Sequence, residues 1–164
     1  MRPRSRGYDV VTLYQRAERF VGVVVERPGD DDHPLIRWWH SLTTYGEAAD
    51  EVPWCSSFVN GMCWELRLPR SKSAAARSWL HVGVAVEPDD AEVGFDVVVL
   101  SRGSSPTAGH VGFFSGYAGD RVYLLGGTQA DAGTGAGYPV ERVIGVRRLT
   151  TTSWSAHEDV PPSR

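Results

Sequence analysis

Two residues have settings suited to nucleophilic chemistry, Cys55 and His110. Cys55 opens a segment in which Phe58, Val59, Met62, Cys63 and Leu66 recur at three, four, seven, eight and eleven residues from it, the spacing of one helical face. A thiol on the first turn of that face would sit among the unpaired N–H groups of a helix N-terminus. Those groups, with the positive end of the dipole, favour thiolate over thiol. Spacing alone leaves the plainer reading ahead, a small buried hydrophobe. Cys63 stands two turns further on. Eight helical residues rise about 12 Å, and a disulfide needs Cα atoms within about 7 Å, so Cys63 reads as core packing.

Among the five histidines, His110 follows Gly109 and opens the run His110-Val111-Gly112-Phe113-Phe114. Strand alternation places His110, Gly112 and Phe114 on one face, and Gly112 there would let a helix end approach closely. His33, His40, His81 and His157 read as surface or capping residues. No HExxH or CxxC spacing occurs, so nothing supports a zinc site built from His40, Cys63 and His110, and neither metal nor cofactor is expected. The run Leu124-Leu125-Gly126-Gly127-Thr128-Gln129 brings Thr128 and Gln129 out beside the histidine strand. The Gln129 amide oxygen could accept a hydrogen bond from the imidazole, though both residues read equally well as loop hydrogen-bonders. Trp54 suits a cleft wall or a core anchor. Asp50 and Glu51 suit contact with a cationic substrate group or, more simply, a helix cap.

The elements that must carry these residues change character halfway along the chain. Helical periodicity runs over Asp9–Val21. A second helix is expected over Leu35–Leu42, capped by Asp32 or Asp31 with Pro34 in the first turn, and the acidic run from Asp30 reads as a solvated cap. A third spans Cys55–Leu66, closed by Pro69. A fourth, Ala-rich, is capped by Ser71 or Ser73, runs through Leu80 and ends near Gly83. After it come short β-branched or aromatic runs, Asp96–Leu100, His110–Phe114, Arg121–Leu125 and Val143–Arg147, with Gly119-Asp120 marking a hairpin. The glycine- and serine-rich loops Ser101–Ala108 and Ala130–Tyr138 flank the histidine strand as candidate cleft rims. Helices followed by an antiparallel sheet read as an α+β domain. With 164 residues and 18.0 kDa, a single catalytic domain over 1–150 and a flexible tail over 151–164 are expected.

Composition narrows the partners. Net charge is −3 with pI about 5.9, and Lys72 is the one lysine among 17 basic residues, the arginines being scattered rather than striped. Nucleic-acid binding is disfavoured. No run approaches the roughly 18 apolar residues of a membrane span. Met1-Arg2-Pro3-Arg4-Ser5-Arg6 mimics the basic start of a signal peptide, but Asp9, Gln15, Arg16 and Glu18 interrupt any apolar region after it. Work outside the cytoplasm would therefore require delivery by phage lysis machinery, a virion or a secretion system.

Taken in order, Asp50-Glu51-Val52-Pro53-Trp54-Cys55-Ser56-Ser57-Phe58-Val59-Asn60, Ser73–Leu80, Phe95–Leu100, Gly109-His110-Val111-Gly112-Phe113 and Leu125-Gly126-Gly127-Thr128-Gln129 resemble the CHAP and NlpC-type cysteine peptidases. The likeness is greatest to phage-associated, endolysin-like cell-wall hydrolases, and it covers about Asp50–Arg148. It raises Cys55 above the plain core reading. It implies a papain-like core, helices packed on an antiparallel sheet, and hydrolysis of an amide bond in the stem peptide or cross-bridge of peptidoglycan. Cys55, His110 and Gln129 would be catalytic, and Trp54, Glu51 and Thr128 would contact substrate. The third position is often Asn or Glu in such proteins, whereas Thr128 and Gln129 stand here. The acidic calcium loop of some CHAP domains is absent before Cys55, so no metal is expected. A monomer is expected, acting on bacterial peptidoglycan. Alternatives on the same scaffold are a non-catalytic wall-binding or phage structural module and an acyltransferase.

Overall fold

The computed structural model describes residues 11–27, 29, 32–50, 52–127 and 136–150. Among these the chain is α+β, with helices in the first half and a six-stranded antiparallel sheet in the second. The expected tail, 151–164, lies outside the described residues.

Helix α1 covers Leu13–Glu18. Thr12 and Gln15 form a capping box, each side chain satisfying the other's backbone N–H. The helix is shorter than the periodicity over 9–21 suggests. Beyond Arg19 the chain enters turns and a β-branched run, with Gly22 at φ 72°. Helix α2, Pro34–Ser41, has Pro34 at its start as expected but a different cap. His33 Nδ1 accepts the Leu35 N–H at 3.2 Å, while Asp32 Oδ1 accepts the Asp50 N–H at 3.2 Å and its carboxylate faces Arg37. Asp31 lies outside the described residues.

Helix α3, Cys55–Glu65, begins at the expected residue. Its stop precedes Pro69. Arg67 takes a left-handed conformation (φ 55°), and Leu68 and Arg67 return their N–H groups to the carbonyls of Cys63 and Trp64 at 2.9 and 3.2 Å. This is a Schellman closure with arginine where glycine is usual. The expected Ala-rich helix is instead a short 3-10 helix, Ala76–His81. Of the two serines expected to cap it, Ser71 is used elsewhere: Asn60 Nδ2 donates to Ser71 Oγ and Ser56 O at 3.1 and 2.9 Å, Asn60 Oδ1 accepts from Lys72 N–H at 2.9 Å, and Ser73 Oγ accepts the Ala75 N–H at 3.2 Å just ahead of the helix. Residues 71–75 are thereby held against α3 and are not helical.

The strands are β1 Val84–Val86, β2 Asp96–Ser101, β3 Gly109–Ala118, β4 Arg121–Leu125, β5 Ala136–Pro139 and β6 Val143–Arg148, in the order β1-β6-β2-β3-β4-β5. Four match the expected runs, and Gly119-Asp120 does join β3 to β4 as a tight hairpin. The two edge strands were not anticipated. Both sheet faces are apolar. Val97, Val99, Val111, Phe113 and Leu125 pack with Phe58, Val59 and Met62 of α3 and with the Trp39–Trp54 stack, while Val98, Leu100, Phe114, Val122, Leu124 and Val146 form a second cluster on the other face. Register shifts at Val99/Leu100 and Phe114/Gly116 bend the sheet around that second cluster. Among the described residues, no helix is long and apolar enough to cross a membrane.

Candidate active site

Cys55 is the first residue of α3, half-buried, with its thiol toward β3. Pairing of β4 to β3 reaches no further than Phe113–Leu125, so Val111 has no β4 partner. The backbone N–H groups of Val111, Ser56 and Cys55 itself, and the Arg102 charge, each act to lower the thiol pKa. These donors favour the thiolate. Burial opposes them and is the larger effect, so the thiol is pushed up rather than down from its ordinary value. The expectation of a depressed thiol pKa is thereby corrected: the helix N-terminus supplies the donors, but the partial burial of the residue outweighs them. Cys63, fully buried, is pushed up further still and is core, as expected.

His110 lies at the start of β3, 5% exposed. Burial, reinforced by the nearby charges of Arg102 and Arg142, lowers its pKa to about 4, so the ring is neutral at neutral pH. Its Nε2 is 3.3 Å from Tyr138 Oη, and the two rings lie at 5.3 Å. No hydrogen bond joins His110 to Cys55. Alternation explains this: Val111 and Phe113 face α3, and His110 takes the other side with Phe114. The role expected of Gly112 is also corrected. A Cβ there would meet Leu124 Cβ and the Leu125 carbonyl, both at 3.0 Å, so the space is used by β4 and not by a helix end. Cys55 and His110 nevertheless converge on one short stretch of β3, and the Arg102 guanidinium acts on both.

The remaining expected residues divide. Trp54, 2% exposed, stacks on Trp39 at 5.7 Å and donates from Nε1 to Glu26 Oε1 at 2.9 Å. It is a core anchor and no cleft wall. Its ring also fills the space beside Gly127, whose Cβ would come within 2.2 Å of Cζ3, so the chain leaving β4 passes directly over the residue before Cys55. Glu51, Thr128 and Gln129 lie outside the described residues. Asp50 is fully buried and neither caps α3 nor meets solvent: its Oδ2 accepts the N–H groups of His33 and Arg27 at 2.7 and 2.9 Å. Burial would raise its pKa, but these donors outweigh that and hold it lowered and ionised.

Two residues of the neighbourhood, Arg102 and Tyr138, were not singled out in the sequence. They lie in or at the ends of the two loops expected to flank the histidine strand, so the loops were legible and the side chains were not. His40, expected at the surface, is fully buried with Nδ1 2.8 Å from Ser57 Oγ, fastening α2 to α3. Burial lowers its pKa. No group of three or more His, Cys, Asp or Glu side chains able to hold a metal occurs among the described residues. Neither a family model, nor a curated protein, nor a solved structure matches the chain.

Proposed function

We propose that the chain is a cysteine-dependent amidase or endopeptidase of bacterial peptidoglycan on a papain-like scaffold, with Cys55 as nucleophile and His110 as base. The observation that supports this is the place of Cys55: first residue of α3, half-buried among the helix N-terminal N–H groups that favour its thiolate, with His110 next to Val111 on the neighbouring strand. Nδ1 is the nitrogen left to act, because Nε2 is engaged with Tyr138. Because the ring lies on the face of β3 away from α3 and its pKa is about 4, it must turn about the start of β3 toward the sulfur and gain basicity from a bound anion; with Nε2 protonated, Nδ1 then takes the thiol proton. The thiolate adds to the amide carbonyl, and the oxyanion that forms is met by N–H donors at the helix N-terminus. Collapse breaks the C–N bond, the imidazolium protonates the departing amine, and water then hydrolyses the thioester to release the acid and the thiol. Tyr138 occupies the ring-orienting place among the described residues, a role the resemblance gives to Gln129.

A second reading, a wall-binding module of the same fold without turnover, draws on the absence of a Cys55–His110 hydrogen bond. Digestion of purified peptidoglycan, read by mass spectrometry, separates the two. Wild type is expected to release fragments bearing new amine and carboxyl ends. Cys55→Ala is expected to release none while keeping its circular dichroism, and Cys63→Ala to retain cleavage while losing about 1 kcal/mol of stability. Binding without release, or equal cleavage by Cys55→Ala, would sink the hydrolase reading.

A further inference from the structure

Where β2, β3, β5 and the turn at Val140–Arg142 meet, Arg102, Gly103, His110, Tyr138 and Arg142 line a cavity of about 450 Å³. Its charge is one-sided on a chain whose net charge is −3. Arg142 is held in place: Nε donates to the Ser101 carbonyl at 3.0 Å, and the guanidinium lies over the Tyr138 ring at 5.1 Å from its centre. Its terminal nitrogens have no partner among the described residues. Arg102 is exposed and forms no hydrogen bond or ion pair among the described residues. Among the described residues no carboxylate lines the cavity. Several other described arginines are engaged: Arg16 with Glu65, Arg37 with Asp32, Arg148 with Asp96, and Arg77, Arg121 and Arg147 with backbone carbonyls. Two guanidiniums facing one cavity, with no acid among the described residues that line it, is the arrangement that recognises a planar oxyanion through forked, charge-assisted hydrogen bonds.

We propose that this cavity binds a free carboxylate of an acidic peptide, seated between Arg102 and Arg142 beside the His110 ring. The choice of a peptide carboxylate rests on the reading of the chain as a peptidoglycan hydrolase, because stem peptides carry free carboxylates near their scissile amides. The Arg102 charge acts on both Cys55 and His110, which ties the cavity to the proposed catalytic pair. The bound carboxylate also offsets the two positive charges that disfavour the imidazolium, which gives the site a signal of its own.

The test is an NMR titration of the His110 ring in the intact chain with N-acetyl-D-alanine, its uncharged amide, or inorganic phosphate. The acid is expected to shift the His110 resonances saturably and raise the pKa of the ring, and the amide to do neither. Arg102→Gln, at an exposed side chain without a partner, is expected to keep the fold and weaken the acid at least tenfold. Equal response to acid and amide, unchanged affinity in Arg102→Gln, or a response to phosphate alone would overturn the assignment. The readout needs no turnover. A chain that shifts with the acid but cleaves no peptidoglycan keeps the cavity and loses the hydrolase reading, and cleavage without a shift does the reverse.

Discussion

The Cys55 thiol, at the start of α3, and the His110 imidazole, at the start of β3, are uncharged for the same reason, burial. Each follows a pH dependence of its own. Because the thiol pKa is raised, alkylation of Cys55 by iodoacetamide is expected to be slow at pH 6 and to keep climbing beyond pH 9. A rate–pH midpoint below 8 would contradict it. For His110 the folded pKa is depressed from 6.5 to about 4. Stability is therefore fully present above pH 6.5 and is lost as pH falls toward 4, by about 3 kcal/mol in all. His110→Gln is expected to flatten most of that loss in urea-unfolding midpoints measured from pH 7 to 4. His40, lowered from 6.5, and at the acid end Asp50, lowered from 3.8, contribute slope that His110→Gln leaves in place. Position 55 was legible because apolar spacing defines a helix face and its first turn. The position of the His110 ring was not, since alternation fixes which residues share a face and says nothing of which face meets the helix.

Helix α3 shows how packing overrides propensity. Gly61 lies in its middle, where alanine would improve helix formation by about 1 kcal/mol. A Cβ there would come within 2.2 Å of Trp39 Cδ1, however, and that ring is locked between Trp54 and Phe58. Gly61→Ala is expected to destabilise the chain by about 1–3 kcal/mol, read as a lower urea midpoint with unchanged slope. The same competition explains what the sequence left hidden. Alanine content over 74–76 suggested a long helix, but Ser71 before it is bound by Asn60 and only the 3-10 segment forms. Strands β1 and β5 have three and four residues at opposite edges of the sheet, too few for alternation to register. The interior strands, apolar on both faces, were plain.

At the scale of the whole molecule, the sheet is closed at one corner by charge. Asp96 opens β2 opposite Arg148 at the end of β6, which also pairs with β1, and the carboxylate meets the guanidinium at 2.7 and 2.8 Å while accepting the Glu92 N–H at 2.8 Å. Asp96 is buried and Arg148 a third exposed, so the arginine can return to water when its partner is removed. Asp96→Ala is expected to cost about 2–3 kcal/mol in thermal unfolding, and Asp96→Asn less, since it keeps an acceptor for Glu92. Another connection runs from α3 to the Arg102 loop. Ser56, next to Cys55, accepts from Trp79 Nε1 at 2.9 Å, and from the same 3-10 helix Arg77 grips the carbonyls of Ser105 and Ala108 at 3.0 and 2.9 Å. The sulfur and the rim that carries Arg102 thus hang from a single yoke. A guest molecule that presses on the rim presses through that yoke on the nucleophile, and neither can be re-aimed without the other.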